Sequence, residues 1–146
     1  MKLKLWVSTS KGSDMDLIVS VEKLDEDGNP ANFYAKMGYR KGPVSLGWLR
    51  VSQRALDDDE STPWQPVLSH EKPAPLEPND VVPVEIEILP SSTWFRAGES
   101  IQVRIQGKDV FEHSSLGHGY PVNEGQHSIH SGGVYDSHIL LPVIPR

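Results

Sequence analysis

The chain has 146 residues, a formal charge of -6 and no cysteine. A chain of this length buries roughly two-thirds of the surface it exposes unfolded, so one core forms without staples, and 1–146 is expected to be a single domain. Without cysteine there is no disulfide framework, thiolate metal site or cysteine nucleophile, and the compartment stays undetermined. The lysines and arginines are scattered, so no phosphate-binding stripe for nucleic acid forms. No apolar run approaches the roughly 20 residues of a membrane span, and Met1-Lys2 leads straight into strand pattern without a signal-type stretch. Neither nucleic acid nor membrane is expected as a partner.

In chain order the pattern is almost wholly β. Leu3, Leu5 and Val7 alternate with Lys2, Lys4 and Trp6, and Leu17, Val19 and Val21 alternate with Asp16, Ser20 and Glu22. Asp25-Glu26-Asp27-Gly28-Asn29-Pro30 has hairpin-turn chemistry, and Asn32 to Tyr39 is expected to return as the partner strand. Leu46 to Arg54 reads as the next strand, with Leu49 and Val51 on one face and Trp48, Arg50, Ser52 and Arg54 on the other.

From Ala55 to Asp80, prolines at 63, 66, 73, 75 and 78 forbid helix interior and central strand, which predicts an extended surface crossover of the Greek-key or jelly-roll kind. Val84, Ile86 and Ile88 form a strand, a helical turn is expected near Ser91 to Arg96, and Ile101, Val103 and Ile105 form a further strand after the Gly98 turn. A loop from Asp109 to Gln126 leads to a short strand at His127 to His130, the Gly132-Gly133 turn and a last strand from Ser137 to Val143. That strand is apolar on both faces, so it is either central in a sandwich or covered by something outside the chain. Eight strand candidates predict an all-β, two-sheet sandwich.

Three chemistries are open to these residues. Serine hydrolysis needs the small-residue elbow Gly-x-Ser-x-Gly; Gly42 to Gly47 is one residue too long, and Ser115 has His113 where the first glycine belongs. Five of the six histidines lie at 113, 118, 127, 130 and 138. On a strand, His127 and His130 point to opposite faces and cannot share a metal, while His113 and His118 could converge with Glu112 or Asp136. Asp57 to Glu60 lacks the glycine and ligand spacing of a calcium loop and reads as a solvated acidic turn. No metal or cofactor is expected. Trp6, Trp48, Trp64 and Trp94 could act as aromatic platforms for a carbohydrate or other ligand, or as core and interface anchors.

Four segments in register carry a resemblance: Gly47-Trp48-Leu49-Arg50-Val51-Ser52-Gln53-Arg54, Val81 to Ile88, Phe95-Arg96-Ala97-Gly98-Glu99-Ser100-Ile101, and His130-Ser131-Gly132-Gly133 through Leu140-Leu141-Pro142-Val143-Ile144-Pro145. With Leu5-Trp6-Val7-Ser8 and Asp14-Met15-Asp16-Leu17 they resemble, end to end, the C-terminal domain of the X-Pro dipeptidyl-peptidase and cocaine-esterase (CocE/NonD) hydrolases. The resemblance implies a jelly-roll sandwich of the galactose-binding-like type that is non-catalytic, packs on an α/β-hydrolase catalytic domain and helps wall its substrate pocket. It also implies that the chain is inactive alone, either as a piece of a larger serine hydrolase or as a stand-alone gene product without its enzyme partner. Trp48, Arg50, Trp64, Trp94, Phe111 and Tyr120 are the candidates to face a partner or ligand, and an exposed apolar patch built from some of them is expected to allow homo-oligomers. The alternative is a stand-alone carbohydrate- or ligand-binding module.

Overall fold

The computed structural model describes residues 1–34, 42–111 and 122–144, which form two facing antiparallel sheets. In chain order the strands are β1 (Lys2–Thr9), β2 (Asp16–Leu24), β3 (Pro30–Ala31), β4 (Ser45–Arg50), β5 (Val82–Glu87), β6 (Ser100–Gln106), β7 (His127–His130) and β8 (His138–Leu140). In one sheet β1 is central, with β5 on one side and β7 and β8 both on the other. In the second, β2 is central, with β4 and β3 on one side and β6 on the other.

The period-two pattern sets which side chains meet between the sheets. Leu3, Leu5 and Val7 of β1 and Val84 and Ile86 of β5 face Leu17, Val19 and Val21 of β2 and Leu49 of β4. Met15, Val51, Leu76 and Ile88 complete the core from the connections. Leu76 is the proline-rich crossover's contribution, and its amide is held by the Ser13 carbonyl at 2.7 Å.

The Asp25 turn forms as its chemistry predicts. The Asp25 carboxylate accepts from the amides of Asp27 at 3.0 Å and Asn29 at 2.7 Å, and Gly28 takes the positive φ of 82°. The return strand differs from expectation: β3 begins at Pro30, pairs only with Lys23 and Leu24, and gives way to a single bridge from Phe33 to Gly42. The remainder of Asn32 to Tyr39, from residue 35 on, lies outside the described residues.

The strand expected to reach Arg54 stops at Arg50 and turns through one 3-10 turn (Val51–Gln53). Its cause is a long-range bond set. The Asp14 carboxylate accepts from the Ser52 amide at 2.8 Å and the Ser52 hydroxyl at 2.6 Å, drawing Ser52 inward. Arg54 folds back on the carbonyls of Val51 and Ala74. Ser52 and Arg54 therefore do not continue the outer face that Trp48 and Arg50 begin.

No helical turn forms at Ser91 to Arg96. The Lys23 ammonium bonds the Trp94 carbonyl at 2.7 Å and the Glu99 carboxylate at 2.6 Å, which holds the segment extended against the end of β2. The Arg96 amide first, and then Lys23, keep the Glu99 carboxyl below the ordinary range.

Candidate functional site

The two long sides of the sandwich are built differently, and the difference lies in Gly47. On the β4 and β5 side the sheets meet edge to edge. The Leu89 amide bonds the Leu46 carbonyl at 2.9 Å, and the Ser45 hydroxyl donates to the Leu89 carbonyl at 2.5 Å. A Cβ on Gly47 would stand 2.3 Å from the Glu87 carbonyl oxygen, so only glycine admits this approach.

The crossover reinforces this side as a hairpin arm, with bridges from Leu56 to Leu68 and from Thr62 to Gln65 and with Pro63 and Trp64 at its tip. Gln65 donates to the Glu87 carboxylate at 3.0 Å. Between the arm and the edges of β4 and β5 runs a groove of about 450 Å³, lined by Trp48, Gln65, Pro66, Leu68, Glu87 and Leu89 among others.

Among the described residues the opposite side stays open. There β6 closes one sheet and β7 with β8 closes the other, and among the described residues no strand pairs with their outer edges. Register places Ile101, Val103 and Ile105 on the inner face of β6, and Ile129 and Ile139 on the inner face of β7 and β8. Inner-face isoleucines should be buried, yet Ile101 is 40% and Ile129 47% exposed. The two-faced apolar strand ends here. Ile139 packs on the core, whereas Leu140 on the outer face is 41% exposed and Val143 and Ile144 are more than four-fifths exposed. Among the described residues β8 pairs with β1 alone and so lies at the edge of its sheet, not in a central position.

A third cluster stiffens the outer face of the β1 sheet. β7 and β8 pair with β1 as one interrupted strand, and residues 131–137 bulge out opposite Leu5. The bulge is a tight hairpin, with Gly132 and Tyr135 exchanging both backbone bonds and Gly133 at a φ of 57°. Asp136 pins it, accepting from the Lys4 ammonium and the Trp6 indole, both at 2.8 Å. Tyr135 packs at 5.5 Å from Trp6 and 5.2 Å from His130.

The Lys4 bond, and next the Trp6 bond, lower the Asp136 carboxyl to about 2. A carboxyl depressed in the folded state contributes stability above its unfolded value, near 3.8, and loses that contribution as pH falls through about 2. Acid titration of the Trp6 indole N–H resonance is therefore expected to show a transition in that window, and Asp136→Asn is expected to abolish it.

The candidate residues do not form one patch. Trp48 is 56% exposed in the groove wall, and Trp64 is 62% exposed at the arm tip beside it. Trp94, 74% exposed, has its carbonyl bonded to Lys23, five residues along β2 from Ile18, the partner of Trp48. Arg50 makes a bidentate pair with Asp16, both bonds at 2.9 Å, which ties β4 to β2. Phe111 is half-buried and makes contacts of its own. Tyr120 lies outside the described residues, as do Glu112, His113, Ser115 and His118. The open-side residues Ile101, Ile129 and Leu140 were not among the candidates, since only pairing distinguishes an edge strand from a central one.

Most of the other polar groups singled out in the sequence have structural partners, the buried Nε2 of His127 excepted. The Ser45 hydroxyl serves the Leu89 carbonyl. Ser8 lies 2.9 Å from the His130 Nε2, beneath Tyr135. His130 shares the outer face of Trp6, and His127 pairs with Thr9 on the other. Asp57 caps its own turn, accepting from the amides of Asp59 and Glu60. Among the described residues no three histidine, aspartate or glutamate side chains gather to hold a metal.

Comparison with known proteins agrees with this arrangement. Two crystal structures of a CocE/NonD family hydrolase from Staphylococcus aureus superpose with a TM-score of 0.89 at 43% identity, over 93% of this chain. The chain spans about a quarter, 26%, of the length of that hydrolase. No curated protein matches. The family model for the X-Pro dipeptidyl-peptidase C-terminal non-catalytic domain matches residues 1–140. A cysteine-free jelly-roll sandwich matched over nearly its whole length in this way belongs to the family of X-Pro dipeptidyl-peptidase C-terminal non-catalytic domains.

Proposed function

We propose that this domain packs against the α/β-hydrolase catalytic region of a CocE/NonD-type enzyme through its open side and helps wall the substrate pocket. The observation that carries the reading is the exposure of inner-face isoleucines Ile101 and Ile129 where β6 faces β7 and β8. A sandwich that shuts one side with Gly47 and a hairpin arm has the means to shut the other. Leaving it open exposes apolar surface to water at about 25 cal/mol per Å², a cost that a permanent neighbour removes.

Leu140, Val143 and Ile144 extend the same surface beyond the sheet. The neighbour supplies the hydrolysis, and a packed wall excludes water around its reacting acyl group.

Hydrogen exchange on the isolated domain and on the full-length hydrolase tests the docking face. The amides of β6, β8 and residues 141–144 are expected to exchange more slowly in the full-length enzyme. Protection confined to the arm and β4 would place the neighbour on the wrong side for this account. The isolated domain is also expected to self-associate through the open side, with a sedimentation coefficient that rises with concentration.

A further inference from the structure

We propose that the groove between Trp48, the hairpin arm and β5 binds a small organic cation, a guanidinium or ammonium compound of amino-acid size. This stands apart from docking, because the groove lies on the closed side of the sandwich. Its volume of about 450 Å³ falls within the range of small-molecule sites, and its walls combine apolar Trp48, Pro66, Leu68 and Leu89 with few polar groups.

Those polar groups are of one sign. Glu85 and Glu87, two residues apart on β5, share one face and both line the groove, and among the described residues the only other titratable group in its wall is His70. Lys2, from the neighbouring strand, pairs with Glu85 at 2.9 Å and lies opposite Glu87 in register. Lys4, opposite Glu85 in register, is taken by Asp136 at 2.8 Å, which leaves Glu85 and Glu87 with one cation between them. Glu87 accepts a neutral amide bond from Gln65, which orients it at the arm's edge.

Trp48, 56% exposed and lining the same groove as that carboxylate, supplies with it the two attractions a cation needs, an aromatic face and an opposite charge. A neutral ligand would use only the first.

The test is titration of the full domain with N-acetyl-arginine amide, followed at the Trp48 indole N–H resonance, assigned through Trp48→Phe. Its neutral isostere N-acetyl-citrulline amide and a methyl galactoside serve as the other arms. The arginine amide is expected to bind with a Kd of about 1 mM. Glu87→Gln, or about 0.5 M salt, is expected to weaken it at least about tenfold. Glu87→Gln keeps a group able to meet Gln65 and lies outside the core, so its fold is checked by the unchanged remainder of the spectrum. Equal binding of the citrulline compound, tighter binding of the galactoside, or no shift at Trp48 with the arginine amide would overturn the proposal.

Discussion

Replacing Ile86 with alanine is expected to lower the unfolding free energy by about 2–5 kcal/mol, measured by urea denaturation. Ile86 is 1% exposed and pairs with Leu3 at the centre of the β1 sheet, and its Cγ2 lies 3.3 Å from where a Gly47 side chain would begin. Removing it deletes buried methyl groups and leaves a cavity where both sheets are fixed by hydrogen bonds and cannot collapse. Ile86→Val, which removes one methylene, should cost only about 0.5–1.5 kcal/mol. A loss below 1 kcal/mol for the alanine variant would mean that the sheets close in, contrary to a rigid seam at β4 and β5.

Adding a single methyl at Gly47 is the second large effect. The Cβ of Gly47→Ala would sit 2.3 Å from the Glu87 carbonyl oxygen, a backbone atom with no rotamer to escape into. The edges of β4 and β5 must then separate, which strains the Leu46–Leu89 and Ser45–Leu89 bonds. Overpacking of this kind costs about 1–3 kcal/mol. Gly132→Ala, where nothing lies within 4 Å, is the control for backbone conformation alone. Its φ of 85° strains any side chain, so the distinguishing readout is the amide exchange of Leu89, which only Gly47→Ala should accelerate.

The alternation of Leu3, Leu5 and Val7 with charged neighbours, and of Leu17, Val19 and Val21 with Asp16, Ser20 and Glu22, placed the two central strands and most of the core. Local chemistry also marked the Asp25 turn, because an aspartate and a glycine act within five residues. Long-range contacts were hidden. Nothing near Ser52 announces that Asp14 will take its amide and end β4, and nothing in Ser91 to Arg96 announces Lys23. The segment Gly47-Trp48-Leu49-Arg50 carried part of the family resemblance, yet why residue 47 must be glycine depends on Glu87, forty residues on.

The site was legible only in part, for the same reason. The tryptophans read equally as platforms or as core and interface anchors, because their grouping depends on the arm that carries Trp64 and on the Lys23 bond that holds the Trp94 backbone. The two-faced apolar strand left two possibilities, central or externally covered, and the pairing of β8 with β1 on one edge alone decided against the first. Between His130 and His138 the chain is a pinned bulge, with Asp136, Ser137 and Tyr135 fastening it to Trp6 and His130.

The open side carries the central claim, and the paired substitution Ile129→Asp, Leu140→Asp in the full-length hydrolase tests it most directly. Both residues are already more than 40% exposed in the domain, so the isolated variant is expected to keep its melting temperature within a few degrees. In the full-length enzyme the same charges would lie at a packed interface, and kcat/KM is predicted to fall at least about tenfold as the pocket wall detaches. An unchanged kcat/KM and melting temperature in the full-length enzyme would contradict the account.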